Sequence, residues 1–360
     1  MGKWAGAVGD LAARRERHMS ADPFWSRRRV LVTGATGMIG SWLVKELLAR
    51  SAHVVALLLD VDPQSELLRS GDIHRVSVVN GDLGDFRTLE RAINLHETDT
   101  VIHLGAQTIV GAAHRFPLAT FESNIRGTYN LLDACRLHQG LIDRIVLASS
   151  DKAYGEQAAL PYTEDMPLAG RHPYEVSKSC TDLLGLSYHR TYDLPVAITR
   201  FGNVYGGGDL NWSRLVPGTI RSFIRGERPI IRSDGTFLRD YVYVKDAVRA
   251  YMTLAEHLDD ARVRGRAFNF SAESPIPVLD VVAAIQALMQ CEHLPPDIQN
   301  SATGEIRDQY LSAKAARDVL GWTAGCSLTS GLQETIAWYR RLDSLSAHGV
   351  SPALRKGDGA

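Results

Sequence analysis

Long apolar runs are missing from this 360-residue sequence. Stretches such as Val54 to Leu59 have strand length and fall far short of the roughly 20 residues that a membrane-spanning helix requires. A soluble chain with no membrane partner is expected. Net charge is lacking too: 40 basic residues against 41 acidic ones leave a formal charge of -1. No bulk field draws such a molecule onto nucleic acid, and an anionic ligand has to be held by local charges. Cysteine is scarce. Cys135, Cys180, Cys291 and Cys326 lie far apart, with no CxxC pair and no nearby histidine at ligand spacing. That excludes a disulfide scaffold and a metal site, and fits buried free thiols in a reducing cytoplasm. Residues 1–28 carry five arginines but no apolar stretch of signal-peptide length, and are expected to form an exposed arm. The small, polar stretch 344–360 is expected to be a flexible tail.

What is present is an alternation. Apolar, β-rich runs at Val30 to Thr33, Val54 to Leu59, Val76 to Val79, Val101 to Leu104, Ile145 to Ala148 and Val196 to Thr199 are separated by helical patterns. These include Trp42 to Ala49, Phe121 to Leu137 and Tyr174 to Tyr192. Continuous apolar strands interleaved with helices indicate an α/β fold, a doubly wound parallel sheet covered on both faces. After Thr199 the rhythm loosens into Gly- and Pro-containing loops, with helices expected near Val216 to Arg225, Asp246 to His257, Val278 to Met289 and Leu328 to Leu342. This half reads as a smaller region that adds substrate contacts. The expected division is a cofactor domain over 29–200 with a return segment at about 240–270, and a substrate-binding region over 201–239 and 271–343.

The segment Val30-Leu-Val-Thr-Gly34-Ala-Thr36-Gly37-Met38-Ile39-Gly40 is a strand, a glycine-rich turn and the start of a helix. Its spacing lets backbone approach a pyrophosphate at the positive end of a helix. The next strand leads to Asp60, twenty residues after Gly40. A carboxylate there can accept both ribose hydroxyls and repel a 2′-phosphate, which favours NAD over NADP. Asp82-Leu83 after the third strand and Leu104-Gly105-Ala106-Gln107 after the fourth complete the expected cofactor pocket, with Asp82 in reach of an adenine amino group.

The fifth strand runs into Ser149-Ser150-Asp151-Lys152, placing polar side chains at the carboxyl edge of the sheet, where ligands bind. Further on, Tyr174-Glu-Val-Ser-Lys178 sets a phenol and an ammonium four residues apart on one helix face. Such a lysine is expected to lower the phenol's pKa toward neutrality. An exposed helix face is the alternative. With only seven lysines in the chain, two at these positions hint that each place needs an ammonium.

Together these motifs resemble the extended short-chain dehydrogenase/reductase family of sugar-nucleotide enzymes, over roughly residues 24–342. The resemblance implies a Rossmann domain carrying NAD, with Tyr174 and Lys178 at the nicotinamide and Ser150 bridging tyrosine to a nucleotide-diphosphate sugar. It also implies a homodimer built from the helices over 121–137 and 174–192. Asn203 in Arg200-Phe-Gly-Asn203, Arg239 in Arg239-Asp240-Tyr, and Arg307 in Gly304-Glu-Ile-Arg307 resemble substrate-diphosphate ligands, since guanidinium forks suit that group. A surface ion pair is the alternative reading of each arginine.

Ser150-Asp151-Lys152 resembles the CDP-glucose 4,6-dehydratase branch, as do Phe24-Trp25, Gly40-Ser-Trp42 and Gly206-Gly-Gly-Asp-Leu-Asn-Trp-Ser-Arg214. Met38-Ile39, where that branch usually carries an aromatic residue and a lysine, and the Ala-Tyr-Gly that follows Lys152 depart from it. A dehydratase needs an acid for the C6 hydroxyl and a base for the C5 proton, roles open to Asp151 and Lys152. A base must be partly deprotonated, which burial or the neighbouring Lys178 charge favours. A 4-epimerase needs only Ser150, Tyr174 and Lys178, and a non-catalytic sugar-nucleotide binder would need none.

Overall fold

Why the apolar runs lie edge to edge is plain in the computed structural model, which describes residues 22–301 and 305–347. Seven strands form one sheet: β1 (Arg29–Thr33), β2 (His53–Leu58), β3 (Ser77–Asn80), β4 (Thr100–His103), β5 (Arg144–Ala148), β6 (Val196–Phe201) and β7 (Arg266–Phe270). All pairs are parallel, in the order β7-β6-β5-β4-β1-β2-β3. Val30 faces Val54 on one side and Thr100 on the other. The order therefore reverses direction between β1 and β4, and a crevice opens at their carboxyl ends.

Side chains alternate across the sheet. Val30, Val32, Val54 and Ala56 pack on one face with Leu43 and Leu47 of α1 (Met38–Ala49). Leu31, Val55, Leu57 and Ile145 pack on the other. That second face is covered by α2 (Phe86–Leu95), α3 (Gly127–Leu137) and α4 (Pro173–Tyr192), which supply Leu89, Leu131 and Leu132 among others. Burial on both faces explains why these strands read as unbroken apolar runs.

Beyond β6 the chain builds a third apolar cluster from α5 (Leu215–Ile224), α7 (Val278–Met289) and α8 (Leu328–Ala347). Between them α6 (Val244–Glu256) returns to the first face of the sheet and leads to β7. Met38 of α1 belongs to the third cluster, so the two regions meet at the glycine-rich turn.

Several expectations are corrected. Residues 22–28 are not an exposed arm: Trp25 is fully buried in a short turn, Trp25–Arg27, and its indole donates to Glu256. The expected arm over 1–21 lies outside the described residues. Helix α8 runs on to Ala347, which removes 344–347 from the expected tail, and 348–360 lie outside the described residues. Strand β7 and helix α2 have no counterpart in the sequence pattern given above. All four cysteines are free, but Cys180 and Cys326 are only partly buried. No helix among the described residues is long and apolar enough to cross a membrane.

Candidate active site

A cavity of about 1530 Å³ opens at the carboxyl edge of the sheet. Its size exceeds the roughly 300–1,000 Å³ of an ordinary single-ligand pocket. The glycine-rich turn forms its floor. Gly34 has φ +69°, and a Cβ there would stand 2.8 Å from the Gly105 nitrogen. A Cβ on Gly40 would stand 2.1 Å from the Gly34 carbonyl oxygen. Only glycine fits either place. Helix α1 opens one turn earlier than the apolar pattern indicates, capped by Gly37 with no side-chain bond to its first amides. Thr36, Gly37, Met38, Ile39 and Gly40 all line the cavity, so these amides and the positive helix end face it. The cradle fits a pyrophosphate.

Asp60, Asp82 and Leu83 line the same cavity. Asp60 stands exposed beyond β2, whereas Asp82 accepts a 2.7 Å bond from the Gly84 amide and shapes its own loop. Leu104, Gly105, Ala106 and Gln107 form the opposite wall. Thr33 fastens that wall to β1 by accepting from the amides of Leu104 (3.1 Å) and Gly105 (2.9 Å). Its hydroxyl also meets His103 Nδ1 at 2.8 Å. His103 is pushed down to about 3, first by burial and then by the Lys178 charge, and stays neutral.

Asn124 clasps Gln107 at both ends: its Oδ1 accepts from the Gln107 amide (2.7 Å) and its Nδ2 donates to the Gln107 carbonyl (3.0 Å). The same Nδ2 donates to Ser177 on α4 at 2.9 Å. Asn124 sits in a π-helical turn, Glu122–Arg126, a geometry frequent at functional sites. Sequence reasoning missed it. Among the polar neighbours Glu122, Ser123 and Arg126 nothing in the sequence singles it out, although it is fully buried.

At the reacting end, α4 is started by a capping box in which Glu175 Oε2 accepts from the amides of Arg171 (2.8 Å) and His172 (3.2 Å). Tyr174 therefore occupies the first turn and Lys178 the next. Lys178 Nζ donates to the Ala148 carbonyl at the end of β5 (2.8 Å) and lies 6.0 Å from the centre of the Tyr174 ring. Burial lowers Lys178 to about 8, opposed by Asp182. Asp182 in turn takes Arg200 Nε at 2.8 Å and the Ser149 hydroxyl.

One expectation fails here. Tyr174 is not lowered toward neutrality by Lys178; burial pushes it up to about 12, against the opposing charge of Arg214 and its contact with Ser150, with Asp151 adding to the rise. The lysine is turned to a carbonyl and held near Asp182, so its charge does not govern the phenol. Ser150 donates to Asp151 Oδ1 at 3.0 Å and accepts from the Lys152 amide at 3.2 Å. Lys152 Nζ lies 3.3 Å and 3.4 Å from the two Asp151 oxygens. All five residues line the cavity.

Asn203, Arg214 and Arg239 line it too. Arg214 pairs with Asp209 (3.0 Å) and reaches Thr108 across the cleft (3.3 Å). Arg239 donates to the carbonyls of Leu238 (2.9 Å), Arg307 (2.6 Å) and Ile306 (2.5 Å), and Glu305 lies 4.0 Å from its guanidinium. Arg307 itself is exposed and absent from the cavity wall, because the chain bends there and turns its side chain outward. Gln309 is the wall residue this stretch supplies instead. Among the described residues no group of His, Cys, Asp or Glu could hold a metal ion.

The geometry has counterparts in known proteins. The CDP-glucose 4,6-dehydratase of Salmonella typhimurium is 33% identical over 341 residues, covering 88% of this chain and 92% of the relative. A solved dTDP-glucose 4,6-dehydratase of Streptomyces venezuelae, with NAD bound, superposes with a TM-score of 0.79 at 26% identity, covering 88% of this chain and 98% of that one. The UDP-glucose 4-epimerase of Thermotoga maritima also gives 0.79 at 26% identity, covering 87% and 99%. The model of the NAD dependent epimerase/dehydratase family matches residues 30–270, and the chain belongs to that family.

Proposed function

We propose that the chain is an NAD-dependent nucleotide-sugar 4,6-dehydratase with a CDP-glucose-like substrate. One observation carries this reading: the Lys152 amine is held against the Asp151 carboxyl inside the cavity, in the loop that begins with Ser150. An acid and a base are thus side by side, in the same cavity as Tyr174. NAD, when bound, supplies the acceptor and later the donor of a hydride. Thr36, Gly37 and the first amides of α1 hold its pyrophosphate, and Asp60 its ribose.

Tyr174 takes the O4 proton as the C4–H bond breaks, with Ser150 orienting that hydroxyl and Lys178 holding the nicotinamide ribose. Arg214 favours the phenolate charge that Tyr174 must bear. A proton passes from the Lys152 ammonium to the Asp151 carboxylate beside it; the free amine then removes the C5 proton, and Asp151 protonates the departing C6 hydroxyl, which leaves as water. Hydride addition at C6 and proton return to C5 complete the 4-keto-6-deoxy sugar. The net change is the loss of one water. Asn203, Arg214 and Arg239 hold the diphosphate, and the chain works as a homodimer.

The test is product mass after incubation with CDP-, dTDP-, UDP- and GDP-sugars. Loss of one water without consumption of added NAD is expected. An unchanged mass with a new stereoisomer would instead establish a 4-epimerase, the reading favoured by Ser150, Tyr174 and Lys178 sufficing for that reaction. Lys152→Ala is expected to cut water loss by at least about 100-fold, the scale of a general base. Unimpaired water loss in that variant, with loss of activity in Tyr174→Phe, would remove Lys152 from its role.

A further inference from the structure

We propose that Gln309 is a positioning residue for water loss, a neutral amide that fixes the Lys152 amine beside Asp151 without adding a charge that would hold its proton. This rests on the dehydratase reading above. Gln309 spans the two reacting residues from the far end of the sequence: its Oε1 accepts from Lys152 Nζ, and its Nε2 donates to the Asp151 carbonyl at 3.1 Å. The opposite amide orientation would set N–H groups against an ammonium and one oxygen against another, so the two contacts fix the orientation.

The residue is only 1% exposed yet lines the cavity. Its backbone is pinned as well, by a 3.1 Å bond from its amide to the Leu238 carbonyl and by bridge pairing with Arg239. Among the described residues, Asp151 and Gln309 are the side chains that bond the Lys152 amine. Other titratable and charged groups surround the pair: Asp240 and Tyr174 act on or feel the Asp151 charge, and Tyr162 feels Asp151, Glu156 and Arg239.

The chemistry explains why an amide suits this place. A base that takes a carbon-bound proton must first shed its own, and each carboxylate against an ammonium opposes that. Asp151 already supplies one. A second acceptor that holds the amine in position but carries no charge leaves it able to cycle between its two states.

The discriminating variant is Gln309→Glu, which keeps shape and length and changes charge. With CDP-glucose and dTDP-glucose as probes, it should slow water loss about tenfold near neutral pH and move the Lys152-governed limb of the pH profile upward by about one unit. C4 oxidation should continue, so reduced nicotinamide builds up on the enzyme. A profile that overlays the wild type, or oxidation and water loss reduced in equal proportion, overturns the assignment. Should Gln309→Glu fail to fold, Gln309→Met keeps the test. It should slow water loss and spare oxidation, and equal loss of both again counts against the proposal. If the wild-type chain yields only a stereoisomer, the dehydratase reading itself falls, whereas water loss by the wild type with an unshifted Glu variant removes Gln309 alone.

Discussion

Asp240 is fully buried, and its Oδ2 accepts from the Ser271 hydroxyl. Burial raises its pKa to about 6, and the Asp151 charge adds to the rise. The sign of the consequence follows. Between the ordinary value of 3.8 and about 6 the folded chain binds a proton that the unfolded chain releases, so stability is greatest below that window and falls as pH rises through it. A shift of this size corresponds to about 3 kcal/mol at neutral pH. Asp240→Asn cannot ionise, so its melting temperature should gain on the wild type as pH rises from about 4 to about 7. Parallel melting curves across that range would show that Asp240 does not carry the cost. Residues such as this mark where the sequence is silent. Gly34, Gly40, Tyr174 and Lys178 are readable because their meaning lies in local spacing. Gln309 and Asp151 are 158 positions apart, and Asn124 and Ser177 are 53 apart, so only the folded chain pairs them.

Elements divide along the same line. Strands β1, β2, β4, β5 and β6 are evident because burial on both faces demands apolar residues at nearly every position, whereas the edge strand β3 buries only Val79 of its four residues. Strand β7 escapes the pattern: it has an exposed Arg266 at one end, and its buried Asn269 is spent on the Tyr154 hydroxyl (2.8 Å) and the Tyr162 carbonyl (3.0 Å). Its β identity comes from pairing with β6 rather than from composition. The turn before β1 is another case, since five arginines within the first 28 residues and scattered acids suggest solvent. Yet Phe24 lies edge-on to Trp25, and the guanidiniums of Arg28 and Arg144 cover the Phe24 ring at 4.8 Å and 5.0 Å. Trp25 ties this turn to the end of α6 through Glu256. Trp25→Ala should therefore cost about 3–5 kcal/mol, the range for emptying a buried aromatic site. Urea unfolding reads it directly, and a loss under about 1 kcal/mol would mean that the turn is not an anchor.

On the scale of the molecule, the cavity and an apolar surface lie on different parts of one helix, α4. Tyr174 and Lys178 at the start of α4 face the cavity, while Leu183 and Tyr192 further along it are 58% and 45% exposed. On neighbouring α3, Tyr129 and Leu137 are 40% and 51% exposed, and Arg136 covers the Tyr192 ring at 5.3 Å. A soluble monomer rarely leaves so many large apolar side chains on adjoining helices in water, and a second copy of the same surface is the simplest cover for them. In a two-fold pairing each substitution appears twice at the interface, so Leu183→Glu brings two carboxylates into one apolar contact. The wild-type chain should sediment at twice 39.6 kDa at micromolar concentration. Leu183→Glu should shift the weight toward one copy while NAD binding persists, since Leu183 is not part of the cavity wall. A wild-type chain that stays at one copy at every concentration would mean that this surface serves something other than self-association.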